Sequence, residues 1–172
     1  MSNFTPAALL GLLSAGALAV PLAAQAATLG PAAARCDANA TAVLVEVAGF
    51  KARSGTLRVQ IYAANPKTYL EKRQWLERVE LPVSKSGTMR VCLPVSKPGS
   101  YVVSVRHDLN GNGKSDRSDG GGLSGNPDVS IADFVFKRKP ALAKTSFAVG
   151  TTTRRVPVTL NYVNGLSFDP VS

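Results

Sequence analysis

The chain has 172 residues, with 20 Lys and Arg against 11 Asp and Glu, a formal charge of +9. Its 45% apolar content supports one packed domain and excludes wholesale disorder. Two cysteines and one histidine are too few for a four-ligand Cys/His zinc site, a multi-cysteine cluster or a histidine pair on a metal.

Residues 1–26 carry no charged side chain, and Ala7 to Ala24 is an apolar run interrupted by Ser14 and Pro21. Ala24-Gln25-Ala26 follows the small-x-small pattern of a signal-peptidase site, so the expectation is a signal peptide over 1–26, cleaved before Ala27. The competing reading is an uncleaved anchor, against which the shortness of the run and Pro21 both argue. Cleavage would leave 146 residues with the whole net charge of +9 and no transmembrane segment. Export, to the periplasm or beyond the cell, changes how the cysteines read. Cys36, in an N-terminal lead of residues 27–40, and Cys92 are expected to form a disulfide rather than remain buried thiols.

Period-two patterns then recur. Thr41 to Val47 puts Val43, Val45 and Val47 on one face, and Leu57 to Tyr62 turns Arg58 and Gln60 outward. Further strands are expected over 75–81, 88–93 and 100–106. Pro66 to Gln74 hints at a helix too short to be stable alone. The turn Lys97-Pro98-Gly99 ahead of Tyr101 resembles the strand opening of transthyretin-like and immunoglobulin-like exported modules.

After the strand ending near Arg106 the charge reverses. Residues 108–133 hold five of the eleven acids against Lys114 and Arg117, a net −3 that leaves +12 on the rest. Asp108, Asn110 and Asn112 fall at positions 1, 3 and 5 of a cation-wrapping loop, with Gly113 at the sharp turn of position 6. Lys114 would offer its carbonyl at position 7, Asp116 would ligate at position 9 directly or through water, and Asp119 would close the shell at position 12. The expected cofactor is a structural Ca²⁺. The bland alternative is an Asn/Gly-rich turn whose side chains cap backbone groups. Strands over 145–149 and 154–162 complete a set of seven, and residues 164–172 read as a tail. Short strands, Gly/Pro turns and no βαβ alternation predict an all-β fold, a single immunoglobulin-like or transthyretin-like β-sandwich over 41–163 with one long loop.

Gly49 to Tyr62, Pro98 to Asp116, Gly121-Gly122-Leu123-Ser124-Gly125-Asn126-Pro127 and Thr145 to Val149 together resemble DUF2141, a set of exported bacterial β-sandwich proteins. The likeness spans roughly residues 43–162. It implies export, a sandwich and a cation-type loop, but no activity and no catalytic residues.

No catalytic constellation emerges from the sequence. His107 and Asp108 are adjacent on a strand and point to opposite faces, and a triad through Ser124 has no supporting motif. A glycan hydrolase using Asp116 with Asp128 or Asp133 is the competing enzyme reading. Gly120 to Gly122 precede no helix, so they do not read as a phosphate cradle. The basic clusters Lys72-Arg73 (near Trp75), Lys137-Arg138-Lys139 and Arg154-Arg155 favour an anionic partner such as envelope polysaccharide or lipopolysaccharide, or are solvated strand edges. Nucleic acid is not expected, because the aromatics do not interleave with the charges. The expectation is a non-catalytic binding or scaffolding module at the cell envelope.

Overall fold

The computed structural model describes residues 26–136 and 138–171. Apart from Ala26, the signal peptide expected over 1–26 lies outside the described residues, as does Lys137 of one basic cluster. Among the described residues no helix is long and apolar enough to cross a membrane.

Alternating apolar residues build two facing sheets. In chain order the elements are β1 (Thr28–Leu29), α1 (Ala33–Asp37), β2 (Ala42–Ala48), β3 (Thr56–Ala63), β4 (Glu77–Pro82), β5 (Met89–Pro94), β6 (Gly99–Asp108) and β7 (Gly120–Leu123). They continue with α2 (Ile131–Val135), α3 (Leu142–Thr145), β8 (Phe147–Val149), β9 (Arg154–Thr159), β10 (Asn161–Asn164) and β11 (Ser167–Pro170). The first sheet runs β1-β5-β2-β9 and the second β11-β10-β7-β6-β3-β4, with β8 also on β6. The fold is an all-β sandwich, as the period-two pattern predicts.

Val43, Val45 and Val47 of β2 meet Leu57, Val59 and Ile61 of β3 and Val103 and Val105 of β6 in one buried core. The opposite face of β2 is also covered. Ala42 and Leu44 pack with Cys36 and Cys92 beneath α1. Those cysteines form a disulfide with their Cα atoms 6.0 Å apart, tying α1 to β5. A third cluster, Tyr62, Tyr69 and Val102, is covered by Trp75 and Leu142.

Several elements depart from the expected seven strands. The region 66–74 forms turns rather than a helix, because Leu70 and Arg73 adopt left-handed φ of 59° and 64°, which no helix accommodates. The single strand expected over 154–162 divides at Leu160, where the chain leaves the first sheet for the second. The expected tail contributes β11, paired with β10 from Asn161↔Pro170 to Asn164↔Ser167. The lead contributes β1 and α1.

β7 reads as loop in sequence because it is Gly120-Gly121-Gly122-Leu123. Its glycines are required by close approach. A Cβ on Gly120 would lie 2.4 Å from the Tyr162 ring, and one on Gly122 would lie 2.7 Å from the Thr159 carbonyl oxygen.

Candidate cation loop

The antiparallel pair β6–β7 ends at His107↔Gly120, so residues 109–119 form its connecting loop. Asp108 stands at the end of one stem and Asp119 at the start of the other. Both are buried, whereas Asn110 to Arg117 are exposed. The two ends of the expected ligand series are therefore fixed by the sheet, and Asn110 to Arg117 between them are exposed.

A network of side-chain acceptors and backbone donors shapes the loop. Asp108 Oδ1 accepts the Asn112 amide at 3.1 Å, and Oδ2 accepts the Gly113 amide at 2.8 Å. Asn110 Oδ1 accepts the Asn112 N–H at 3.1 Å, and Asn112 Oδ1 accepts the Lys114 N–H at 2.7 Å. Asp119 closes the ring, taking Leu109 N–H on Oδ1 at 3.2 Å and Asp116 N–H on Oδ2 at 3.3 Å. The side-chain nitrogens of Asn110 and Asn112 converge on Asp116 Oδ2 at 2.8 and 3.1 Å.

Asp116 Oδ1 accepts both the amide and the hydroxyl of Ser118. Those donors, the Ser118 hydroxyl first and then Asn110, hold its carboxyl down at about 2. It is the most heavily solvated by protein donors of the loop carboxylates, taking four hydrogen bonds.

The structure thus brings Asn110, Asn112 and Asp116 together above a base formed by Asp108 and Asp119. Lys114 contributes no side-chain contact to this network among the described residues, which leaves its carbonyl as the group of interest. Among the described residues no three side chains drawn from His, Cys, Asp and Glu gather to hold a metal by themselves. The physical reason is visible in the bonds above: the carboxylates face N–H donors. A hard cation would therefore draw on the amide and peptide oxygens too, which is the mixed oxygen set such ions accept. Asp108 Oδ1, both Asp119 oxygens and both Asn side-chain oxygens each take one donor and keep a second lone pair. The donor chemistry fits.

Residues outside the expected series anchor the loop. Arg106 donates from Nη2 to Asp108 Oδ2 at 3.0 Å and from Nη1 to Ser115 Oγ at 2.8 Å. Ser54 Oγ donates to the Leu109 carbonyl at 3.1 Å. Gly55, at φ 71°, passes so close that a Cβ would lie 1.9 Å from the Asp108 carbonyl oxygen. His107 is fully buried and bonds Tyr162 at 2.6 Å and the Ser54 carbonyl at 2.8 Å. Arg106 was findable in sequence, since residues two apart on a strand share a face. The partners from the β2–β3 turn lie too far away in sequence to be read.

The other residues singled out in the sequence have structural surroundings. Ser124 Oγ is buried, accepts the Val103 amide at 2.9 Å and donates to the Thr145 carbonyl, and His107 is not among its partners. Asp128 and Asp133 line an open depression of about 350 Å³ together with Asp169, whereas Asp116 is engaged within the cation loop. Asp133 also caps α2, exchanging hydrogen bonds with Ser130. Several basic residues have acidic partners: Lys139 pairs with Glu71, Arg138 lies 4.0 Å from Asp133 and Arg155 lies 3.5 Å from Glu46. Trp75 sits beneath Arg78, 5.4 Å from its guanidinium carbon, an aromatic contact for the basic surface near Lys72 and Arg73.

None of the curated proteins and none of the solved structures matches this chain. The family model described as "Uncharacterized protein conserved in bacteria (DUF2141)" matches residues 45–157, from within β2 to within β9 and including the whole 108–119 loop. The chain belongs to the DUF2141 family.

Proposed function

We propose that this protein is an exported, calcium-stabilised β-sandwich that serves the bacterial cell envelope as a non-catalytic binding or scaffolding module. The observation that carries the reading is the convergence of Asn110, Asn112 and Asp116 over the buried residues Asp108 and Asp119 at the two ends of the loop. Calcium would be held by Asp108, Asn110, Asn112, the Lys114 carbonyl and Asp119, with Asp116 entering directly or through water. When bound, the ion supplies cross-linking between the two stems of a long polar loop that has few apolar contacts of its own.

The uncharged apolar run before Ala27 supports export to the periplasm or the medium, as does the Cys36–Cys92 disulfide, which an oxidising compartment favours. The +12 body favours anionic envelope polysaccharide or lipopolysaccharide as the partner. Arg154 is exposed and, with Arg155 and Phe147, lines a shallow groove of about 330 Å³ with no carboxylate in its wall. A hydrolase that uses Asp116 and Asp128 is the rival reading; Asp116 is bonded within the 108–119 loop, whereas Asp128 lines a depression with Asp133 and Asp169.

Isothermal titration with Ca²⁺ and, separately, with Mg²⁺ tests the cation. A saturable calcium signal is expected, weaker for magnesium, which dehydrates reluctantly. Pull-down from envelope extract with calcium or with chelator tests the partner, and turnover of a glycan panel by wild type alone would favour the hydrolase.

A further inference from the structure

We infer that Arg106 is a resident counter-cation of the 108–119 loop, sharing the charge of Asp108 with calcium and so setting how much calcium the loop requires; this rests on the calcium reading above.

Arg106 and Asp108 lie two residues apart on β6, so both side chains stand on the outer face of the second sheet. The guanidinium spans the loop, with Nη2 3.0 Å from Asp108 Oδ2 and Nη1 2.8 Å from Ser115 Oγ. One side chain thereby ties the first ligand position to the far side of the loop. The pair is well shielded: the Arg106 side chain is 18% exposed and that of Asp108 is 2% exposed. Arg106 Nε is buried with no hydrogen-bond partner among the described residues. A surface arginine would extend its head into water, whereas this one gives up solvation to stay on the carboxylate.

The surrounding register offers no competing anion. Across the sheet Arg106 faces Arg58 on one side and Gly121 on the other. A like-charged cross-strand pair is unfavourable, and the Arg58 guanidinium is taken by Glu80. Asp108 is therefore the carboxylate that justifies the position of Arg106.

The oxygen used by each partner decides what the guanidinium does. Asp108 Oδ2 accepts both Arg106 and the Gly113 amide, so its lone pairs are used. Oδ1 accepts the Asn112 amide alone and keeps room for a metal. Arg106 leaves the ligand geometry intact but offsets the charge that attracts a divalent ion. In the calcium-free protein the same contact holds Asp108 and Ser115 in register. Ligand charge is a principal lever on calcium affinity, and here part of it is balanced in advance.

The test uses protein expressed from the full chain, with Arg106→Gln and Arg106→Lys compared against wild type by calcium titration calorimetry and by melting in chelator. Arg106→Gln is expected to bind calcium roughly three- to tenfold more tightly and to melt lower without calcium. Arg106→Lys keeps the charge and is expected to stay within about twofold of the wild-type Kd, a result that a purely structural role would not produce. If the Gln variant does not fold in chelator, chelator-triggered calcium release from the loaded proteins gives the comparison, slower for Gln and unchanged for Lys. Equal or weaker calcium binding by Arg106→Gln, with wild type binding normally, overturns the role of Arg106 and leaves the calcium reading standing. No calcium binding by wild type overturns both.

Discussion

The hydroxyl oxygen of Tyr162 lies 2.6 Å from Nδ1 of His107, and the other ring nitrogen lies 2.8 Å from the carbonyl oxygen of Ser54. A carbonyl can only accept, so Nε2 donates to it, and in the neutral ring Nδ1 accepts from the tyrosine hydroxyl. The same oxygen accepts the Lys51 amide at 3.2 Å. Burial pushes the Tyr162 phenol up, partly offset by the Lys51 amide and by Arg53, which keeps it a neutral donor. A directed chain thus joins β10, β6 and the β2–β3 turn directly beneath Asp108.

Tyr162→Phe breaks that chain while preserving the ring that fills the space over Gly120. It leaves His107 Nδ1 and the Lys51 amide without their partner, which costs about 1–3 kcal/mol in a buried setting. Urea unfolding should show the loss as a lower midpoint with an unchanged slope. An unchanged midpoint would mean that water replaces the hydroxyl at no cost.

Glycine substitutions separate steric need from backbone preference. Gly55 and Gly87 both have positive φ, 71° and 73°, but a Cβ on Gly87 meets nothing within 4 Å while one on Gly55 collides with the Asp108 backbone. Gly87→Ala is expected to cost about 1 kcal/mol, the ordinary strain of a left-handed alanine. Gly55→Ala should cost more than about 3 kcal/mol or prevent folding, as read by thermal melting. Similar melting points for the two would refute the packing of the β2–β3 turn on the loop.

The Cys36–Cys92 bridge closes a separation of 56 residues. Chain-entropy reasoning assigns it about 4 kcal/mol. Replacing both cysteines by serine should lower stability by up to that amount in chemical denaturation. Proteolysis of the variant should begin in α1, which the bridge pins to β5.

The Asp116 carboxyl titrates at about 2, held low first by the Ser118 hydroxyl and then by Asn110. Its folded value lies below the unfolded one of about 3.9, so its contribution is fully present above pH 4 and is lost as the pH falls through about 2. In calcium-free protein, the Ser118 amide and the Asn110 side-chain amide should shift together with a midpoint near 2 by NMR. A midpoint near 4 would show that those hydrogen bonds do not form.

The sandwich was legible because its core strands alternate cleanly: Val43, Val45 and Val47, or Leu57, Val59 and Ile61, carry the period-two signal by themselves. The disulfide was legible from the expected export signal and the cysteine count. β7 was not, since three glycines carry no hydrophobic pattern and their role is to admit Tyr162 and the Thr159 backbone from distant strands. β11 was hidden for a related reason, because an edge strand needs only one partner and Ser167 to Pro170 shows no buried residue. Around the loop, the alternating polar series from Asp108 to Asp119 that builds the hydrogen-bond network was written in local spacing. Its anchors, Ser54, Gly55 and Tyr162, come from 53 to 55 positions away from His107 or Leu109 and become neighbours only through the sheet.

Calcium taken up by the 108–119 loop is proposed to stabilise the fold. Differential scanning calorimetry of wild type and Asp108→Asn, each with calcium or with chelator, reads that stabilisation. The asparagine keeps an acceptor for the Asn112 or Gly113 amide but removes the charge. Calcium a hundredfold above Kd should stabilise wild type by about 2.7 kcal/mol, a rise of about 5–10 °C in Tm, and should move Asp108→Asn far less. Wild-type melting that is identical in chelator and in millimolar calcium would show that the loop holds no stabilising calcium.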